Sequence, residues 1–145
     1  MKIDVKHLGD VQFSIATGRH EICCDQPSDN GGDDDGMTPP ELFLGALGAC
    51  AAYYAVAHLK RHNLPHEGTT VQASSGKLTN PARLGEIVLR VSAPVTLTSE
   101  QQNALERSVT RCILHNTLTH PPAIRTEIAA SPSAEQLEDA ELILL

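Results

Sequence analysis

Apolar and polar residues alternate from Ile3 to Leu8 and again from Val11 to Thr17. A period of two with Gly9-Asp10 between the runs predicts two short strands joined by a turn. His20 to Cys24, after Gly18-Arg19, predicts a third. Asp25 to Gly36 is made of Asp, Gly, Asn, Ser, Gln and Pro and reads as a loop. A helix then starts sharply: Thr38 as cap, Pro39 at the first helical position and Glu41 to complete a capping box. It runs to about Arg61 or His62, before Asn63-Leu64-Pro65. Thr69 to Leu78 and Glu86 to Val95 predict a hairpin punctuated by Asn80-Pro81 and Gly85. Thr98 and Gln101 form a second capping box, opening a helix from Ser99 to about Leu114. Ala123 to Ala129 predicts a last strand. The tail from Ser131 is acidic and ends in Leu142-Ile143-Leu144-Leu145, which suits a short packing helix. Strands, long helix, two strands, helix, strand is an α+β order.

The long helix changes the picture because Leu42 to Ala57 carries no charge. That stretch is shorter than the roughly 20 residues of a membrane span. A helix apolar on every side reads instead as a buried central helix. Its small residues Gly45, Gly48, Ala49 and Ala52 let another backbone approach. One small sheet and one helix cannot cover all of it, which predicts a dimer with the long helices buried between subunits.

With 145 residues, 41% hydrophobic and 20% charged, the chain is expected to form one globular domain over residues 1–130, with a tail over 131–145. Aromatics are only 3%, so Ala, Val, Ile and Leu must build the core. The net charge of −7 and the lack of a Lys/Arg stripe argue against a nucleic-acid surface. Met1 to Val11 does not read as a leader peptide, so a cytoplasmic protein with no membrane partner is expected. Asp33-Asp34-Asp35 lacks the ligand spacing of a calcium loop and reads as a solvated acidic turn.

Four cysteines remain: Cys23, Cys24, Cys50 and Cys112. Cys23 and Cys24 are adjacent on a strand and point to opposite faces, so they read as structural. Cys50 lies mid-helix between Ala49 and Ala51. By residue type and setting it reads first as a small core hydrophobe; the other reading is a nucleophile, which requires a thiolate. The helix start is about three turns away, too far for its dipole to help. A cation from elsewhere is needed, and Arg19 is the first candidate, with Arg111 second. Cys112 is placed near the end of the second helix, where the dipole opposes a thiolate. That suits resolution of a sulfenic acid better than first attack. His115 shares a helix face with Cys112. His58 and His62 are one turn apart, and without paired Cys-x-x-Cys spacing they read as a solvated helix end rather than a metal site.

Three stretches together resemble the OsmC/Ohr family of thiol-dependent hydroperoxide reductases. They are Arg19-His20 through Asp25-Gln26-Pro27 and Gly31-Gly32, then Gly36-Met37-Thr38-Pro39-Pro40-Glu41-Leu42-Phe43-Leu44-Gly45-Ala46-Leu47-Gly48-Ala49-Cys50, then Cys112-Ile113-Leu114-His115-Asn116-Thr117-Leu118. The resemblance spans roughly Lys2 to Ala130. It implies antiparallel sheets around two central cysteine-bearing helices in an intertwined homodimer. It implies a peroxidatic Cys50, a resolving Cys112 and an activating cation at Arg19, with Glu41 and His115 as accessory candidates. It further implies organic hydroperoxides as substrates, a dithiol such as a lipoyl group as reductant, and no bound cofactor or metal. Family enzymes usually carry a Glu ten residues before the first cysteine, where this chain has Pro40. Glu41 is one step later, a rotation of about 100° on a helix. The chain is therefore more similar to the broad OsmC-like branch, and a non-peroxidatic protein that binds a small apolar ligand or handles another reactive sulfur species stands as the alternative.

Overall fold

In a computed structural model, which describes residues 1–129, the elements run β1 (Asp4–Gly9), β2 (Gln12–Thr17), β3 (His20–Cys24), α1 (Pro39–Arg61), β4 (Thr70–Thr79), β5 (Ala82–Ser92), α2 (Ser99–Val109) and α3 (Ile113–Thr119). One 3-10 turn, Ser28–Asn30, lies in the β3–α1 connection. The fold is α+β, with two antiparallel sheets: β1-β2-β3, and the β4-β5 hairpin.

The capping boxes set both main helices. Glu41 accepts from the Thr38 backbone N–H and hydroxyl, each at 2.8 Å. Gln101 accepts from the Thr98 N–H at 2.9 Å and donates its own N–H to Thr98 Oγ1 at 3.3 Å. α1 exceeds the uncharged stretch because Glu41, Lys60 and Arg61 extend it to 23 residues. That is long and apolar enough to cross a membrane, but α1 packs against β4, β5, α2 and α3. Ala51, Ala55 and Leu59 on one face are fully buried, joined by Leu105 and Val109 of α2. Leu64, Val71, Leu89 and Val91 close this core. Gly48 meets β4 closely: a Cβ there would stand 3.6 Å from the Ala73 methyl.

The second helix differs from expectation. It does not continue to Leu114 but stops at Val109, turns through Thr110 and Arg111, and restarts at Ile113. Cys112 has extended backbone angles, φ −54° and ψ 135°, and is the N-terminal cap of α3. The period of apolar residues carries through the break, which hides it from a pattern reading. The β4–β5 turn is also tighter than expected. β5 begins at Ala82 and ends at Ser92, and Gly85 sits inside it beside the bulge around Gly76.

The expected strand from Ala123 to Ala129 is not formed in the single chain. Ile124 and Ile128 stand 92% exposed, with no neighbouring strand to take their backbone groups. The helix expected in the tail lies outside the described residues.

The loop from Asp25 is not simply solvated. Asp25 is 1% exposed and accepts the backbone N–H groups of Gln26, Asp33 and Asp35 at 2.8, 3.0 and 3.1 Å. The loop wraps so tightly that a Cβ on Gly32 would fall on the Gln26 carbonyl, and one on Gly36 within 2.5 Å of the Cys23 carbonyl oxygen. Asp33, Asp34 and Asp35 remain exposed on its rim.

Candidate active site

Cys50 lies on α1 one residue before the buried Ala51, and α3 packs on α1 at this point. The break before α3 brings free backbone N–H groups to the Cys50 sulfur. The first residues of any helix have N–H groups with no partner inside the helix. Those of Leu114 and Ile113, together with the Cys112 thiol, are the groups that act to lower the Cys50 thiol. Both cysteines are free thiols, Cys50 partly exposed and Cys112 1% exposed.

The same surroundings push the two thiols in opposite directions. Burial acts to raise the Cys50 thiol, but the Cys112 hydrogen bond and the N–H groups of Leu114 and Ile113 together bring it below its ordinary value. Hydrogen bonds to the charged form favour that form. Burial raises the Cys112 thiol, and its bond to Cys50 raises it further, against the opposing N–H groups of His115 and Leu114. The two thiols are thus set apart, Cys50 below and Cys112 above the ordinary thiol value. Sequence reasoning placed Cys112 near the C-terminal end of one helix, whereas it caps the start of the next. It looked for a cation beside Cys50; within the single chain the groups that lower this thiol are the Cys112 thiol and two main-chain N–H groups.

Arg19 lies in the β2–β3 turn, exposed, and is not among the groups acting on Cys50 within the chain. The core contacts run among α1, α2, α3, β4 and β5, whereas β1, β2 and β3 pair chiefly with one another. Arg111 is exposed and faces a notch between α1 and α2. Glu41 holds Thr38 as part of the helix cap, and these bonds, the backbone one foremost, keep its carboxyl below the usual range. His115 lines a cavity of about 750 Å³ with Leu47, Leu89, Val109 and Leu118. Among the described residues no cluster of three or more His, Cys, Asp or Glu could hold a metal ion.

Two free thiols on packed helices, one of them lowered below the ordinary thiol value, form a candidate thiol-redox site. The OsmC-like protein family matches residues 32–127, and the chain belongs to that family. No curated protein matches it. Among solved structures it is similar to an osmotic stress induced and detoxification response protein from Psychrobacter arcticus 273-4. The TM-score is 0.73 at 20% identity, over 81% of this chain and 87% of that one. An OsmC-like protein from Mycoplasma pneumoniae matches with a TM-score of 0.68 at 20% identity, over 83% of this chain and 87% of that one. An organic hydroperoxide resistance protein from Elizabethkingia anophelis matches with a TM-score of 0.62 at 23% identity, over 83% and 90%. These likenesses establish the fold.

Proposed function

We propose that this protein is a thiol-dependent peroxidase that reduces organic hydroperoxides, with Cys50 as the attacking sulfur and Cys112 as the resolving one. The observation that carries the reading is a pair of free thiols brought together where α3 packs on α1, Cys50 partly exposed and Cys112 buried, with the Cys50 thiol lowered and the Cys112 thiol raised. The Cys50 thiolate attacks one peroxide oxygen, the O–O bond breaks and an alkoxide leaves. The alkoxide takes the proton that Cys112 carries and departs as an alcohol. Cys50 is then a sulfenic acid and Cys112 a thiolate beside it. Attack by Cys112 forms the disulfide and releases hydroxide, which is protonated to water. An external dithiol, such as a lipoyl group, restores both thiols by exchange.

The working unit in this reading is a homodimer. Of the apolar span of α1, only 28% is buried within the chain. Tyr53 and Phe43 of α1, Val5 and Ile22 of the first sheet, and Ile124 and Ile128 all remain exposed. A second copy covering these surfaces would also give the 121–129 segment a strand to pair with.

Consumption of cumene and tert-butyl hydroperoxide with dihydrolipoamide, on wild type and Cys50→Ser, tests the proposal. Turnover that vanishes in the variant supports it, and negligible turnover by the wild type sinks it. The apolar cavity of about 750 Å³ favours a second reading, a non-peroxidatic protein that binds a small apolar ligand. That reading predicts ligand binding that survives in Cys50→Ser, without peroxide turnover.

A further inference from the structure

Away from the cysteines, the C-terminal ends of α1 and α2 converge on a notch of about 190 Å³. It is lined by His58, Arg61, His62, Arg107, Arg111 and the hydroxyl-bearing Ser108, and apart from these by Ala104 alone. Three of the chain's eleven Lys and Arg and two of its seven His thus meet in one hollow of a protein with net charge −7. No carboxylate lines it, and the ion pairs found among the described residues lie elsewhere, at Lys2–Asp4 and Arg125–Glu127.

The position of each base has an ordinary cause, because helix C-termini favour positive charge. Their convergence is not needed to cap the helices. The last-turn carbonyls are already taken: those of His58, Leu59 and Lys60 by the N–H groups of His62, Leu64 and Asn63, and those of Glu106, Ser108 and Val109 by Thr110, Arg111 and Cys112. Among the described residues none of the three guanidinium groups makes a hydrogen bond or ion pair. The crowding shows in His58, whose proton affinity falls through burial and through the charges of His62, Arg61 and Arg107. The His58 and His62 rings are 4.4 Å apart between centroids.

We propose that this notch is a binding site for a phosphate group, free or carried on a small ester. Guanidinium donors match phosphate oxygens in paired geometry. The volume admits one phosphate group with a few ordered waters, at about 30 Å³ each. His58 is eight residues beyond Cys50, about 12 Å along α1, and only Arg111, next to Cys112 in the chain, lies near the sulfur pair. The inference does not depend on the peroxidase reading.

Titration calorimetry of the full chain with inorganic phosphate and with glycerol 3-phosphate, at pH 7 and low ionic strength, tests it. The expected result is one site per chain, with the His58 and His62 ring resonances shifting in parallel in NMR spectra. Arg61→Gln/Arg107→Gln should weaken binding at least about tenfold, while circular dichroism and peroxide turnover stay as in wild type. Similar affinity for both probes assigns free phosphate as sufficient, and a clear preference for the ester assigns the carried group. Binding of neither, or equal binding in the double variant, overturns the proposal.

Discussion

The Cys112 thiol is hydrogen-bonded to the Cys50 sulfur, and this one contact lowers the first thiol while raising the second. A hydrogen bond to a charged group contributes about 1.5–3 kcal/mol, and one pKa unit corresponds to about 1.4 kcal/mol. Cys112→Ala should therefore raise the Cys50 thiol, because it removes the hydrogen bond that acts first among the groups lowering it. Because the folded Cys50 value lies below that of an ordinary thiol, alkylation in wild type should already be fast near neutral pH. In Cys112→Ala the whole rate profile should move to higher pH. Iodoacetamide kinetics against pH, with the labelled peptide identified by mass, reads this directly. An unmoved profile would mean that the thiol contact does not set Cys50 reactivity.

Cys112→Ser separates donation from resolution. A serine hydroxyl can still donate to the Cys50 sulfur but cannot form a disulfide. One equivalent of alcohol per site should appear, followed by a stall with Cys50 trapped as a sulfenic acid that dimedone labels. Full multiple turnover of this variant with a dithiol supplied would remove Cys112 from the resolving role.

The α3 backbone can be tested without touching either cysteine. Ile113 is 66% exposed and occupies the first position of α3, where proline is tolerated. Cys112 already has the extended conformation that a residue before proline requires. Ile113→Pro should leave the fold intact and remove one N–H from Cys50. The expected effect is slower alkylation at neutral pH, by about tenfold, with little change in Tm. A normal alkylation rate in a folded Ile113→Pro would show that the Ile113 N–H contributes nothing.

The elements set by local chemistry were legible in the sequence. Both capping boxes, the three short N-terminal strands and the α1 end near Arg61 follow from Thr38, Glu41, Thr98, Gln101 and two-residue alternation. The break at Cys112 was not legible, since no Gly or Pro marks it. Its cause is tertiary: α3 turns to pack on α1 where its first N–H groups meet Cys50. Nor was the burial of Asp25, because an acidic, Gly-rich run looks solvated until its backbone closes on one carboxylate. The exposed segment from 123 to 129 has the alternation of a strand, but a strand needs an edge to join, and the described single chain gives it none.

Asp25 and Glu41 make stability depend on pH in one direction. The backbone N–H groups of Asp35 and Gln26 lead in lowering Asp25, and the Thr38 N–H leads in lowering Glu41. A carboxyl lowered by folding contributes stability above its unfolded value, and that stability is lost as pH falls through the folded value. The wild type should therefore lose stability progressively below about pH 4.5. Asp25→Asn should lower Tm at pH 7, and the gap from wild type should shrink as pH falls below the ordinary carboxylate range. Thermal melts at pH 7, 5 and 3 check this, and a gap that widens in acid would contradict it. Thr38→Ala gives a second reading of the same helix start. It should cost about 1 kcal/mol, roughly 4 °C in Tm.

Arg19 poses the sharpest question about assembly. It is exposed in the β2–β3 turn, and within one chain it is not among the groups acting on Cys50. If Arg19 is to steady the thiolate or the peroxide, a second chain must bring it there. Arg19→Ala and Cys50→Ser would then be defects in different halves of one composite site. Each variant alone should be slow or inactive. Unfolded together and refolded as mixed dimers, they should recover activity toward about a quarter of the wild-type sites. That figure follows because half the dimers are mixed and each mixed dimer holds one site with both residues intact. Recovery places Arg19 on the partner's Cys50. Activity fixed at the average of the two variants means that Arg19 does not act across the interface.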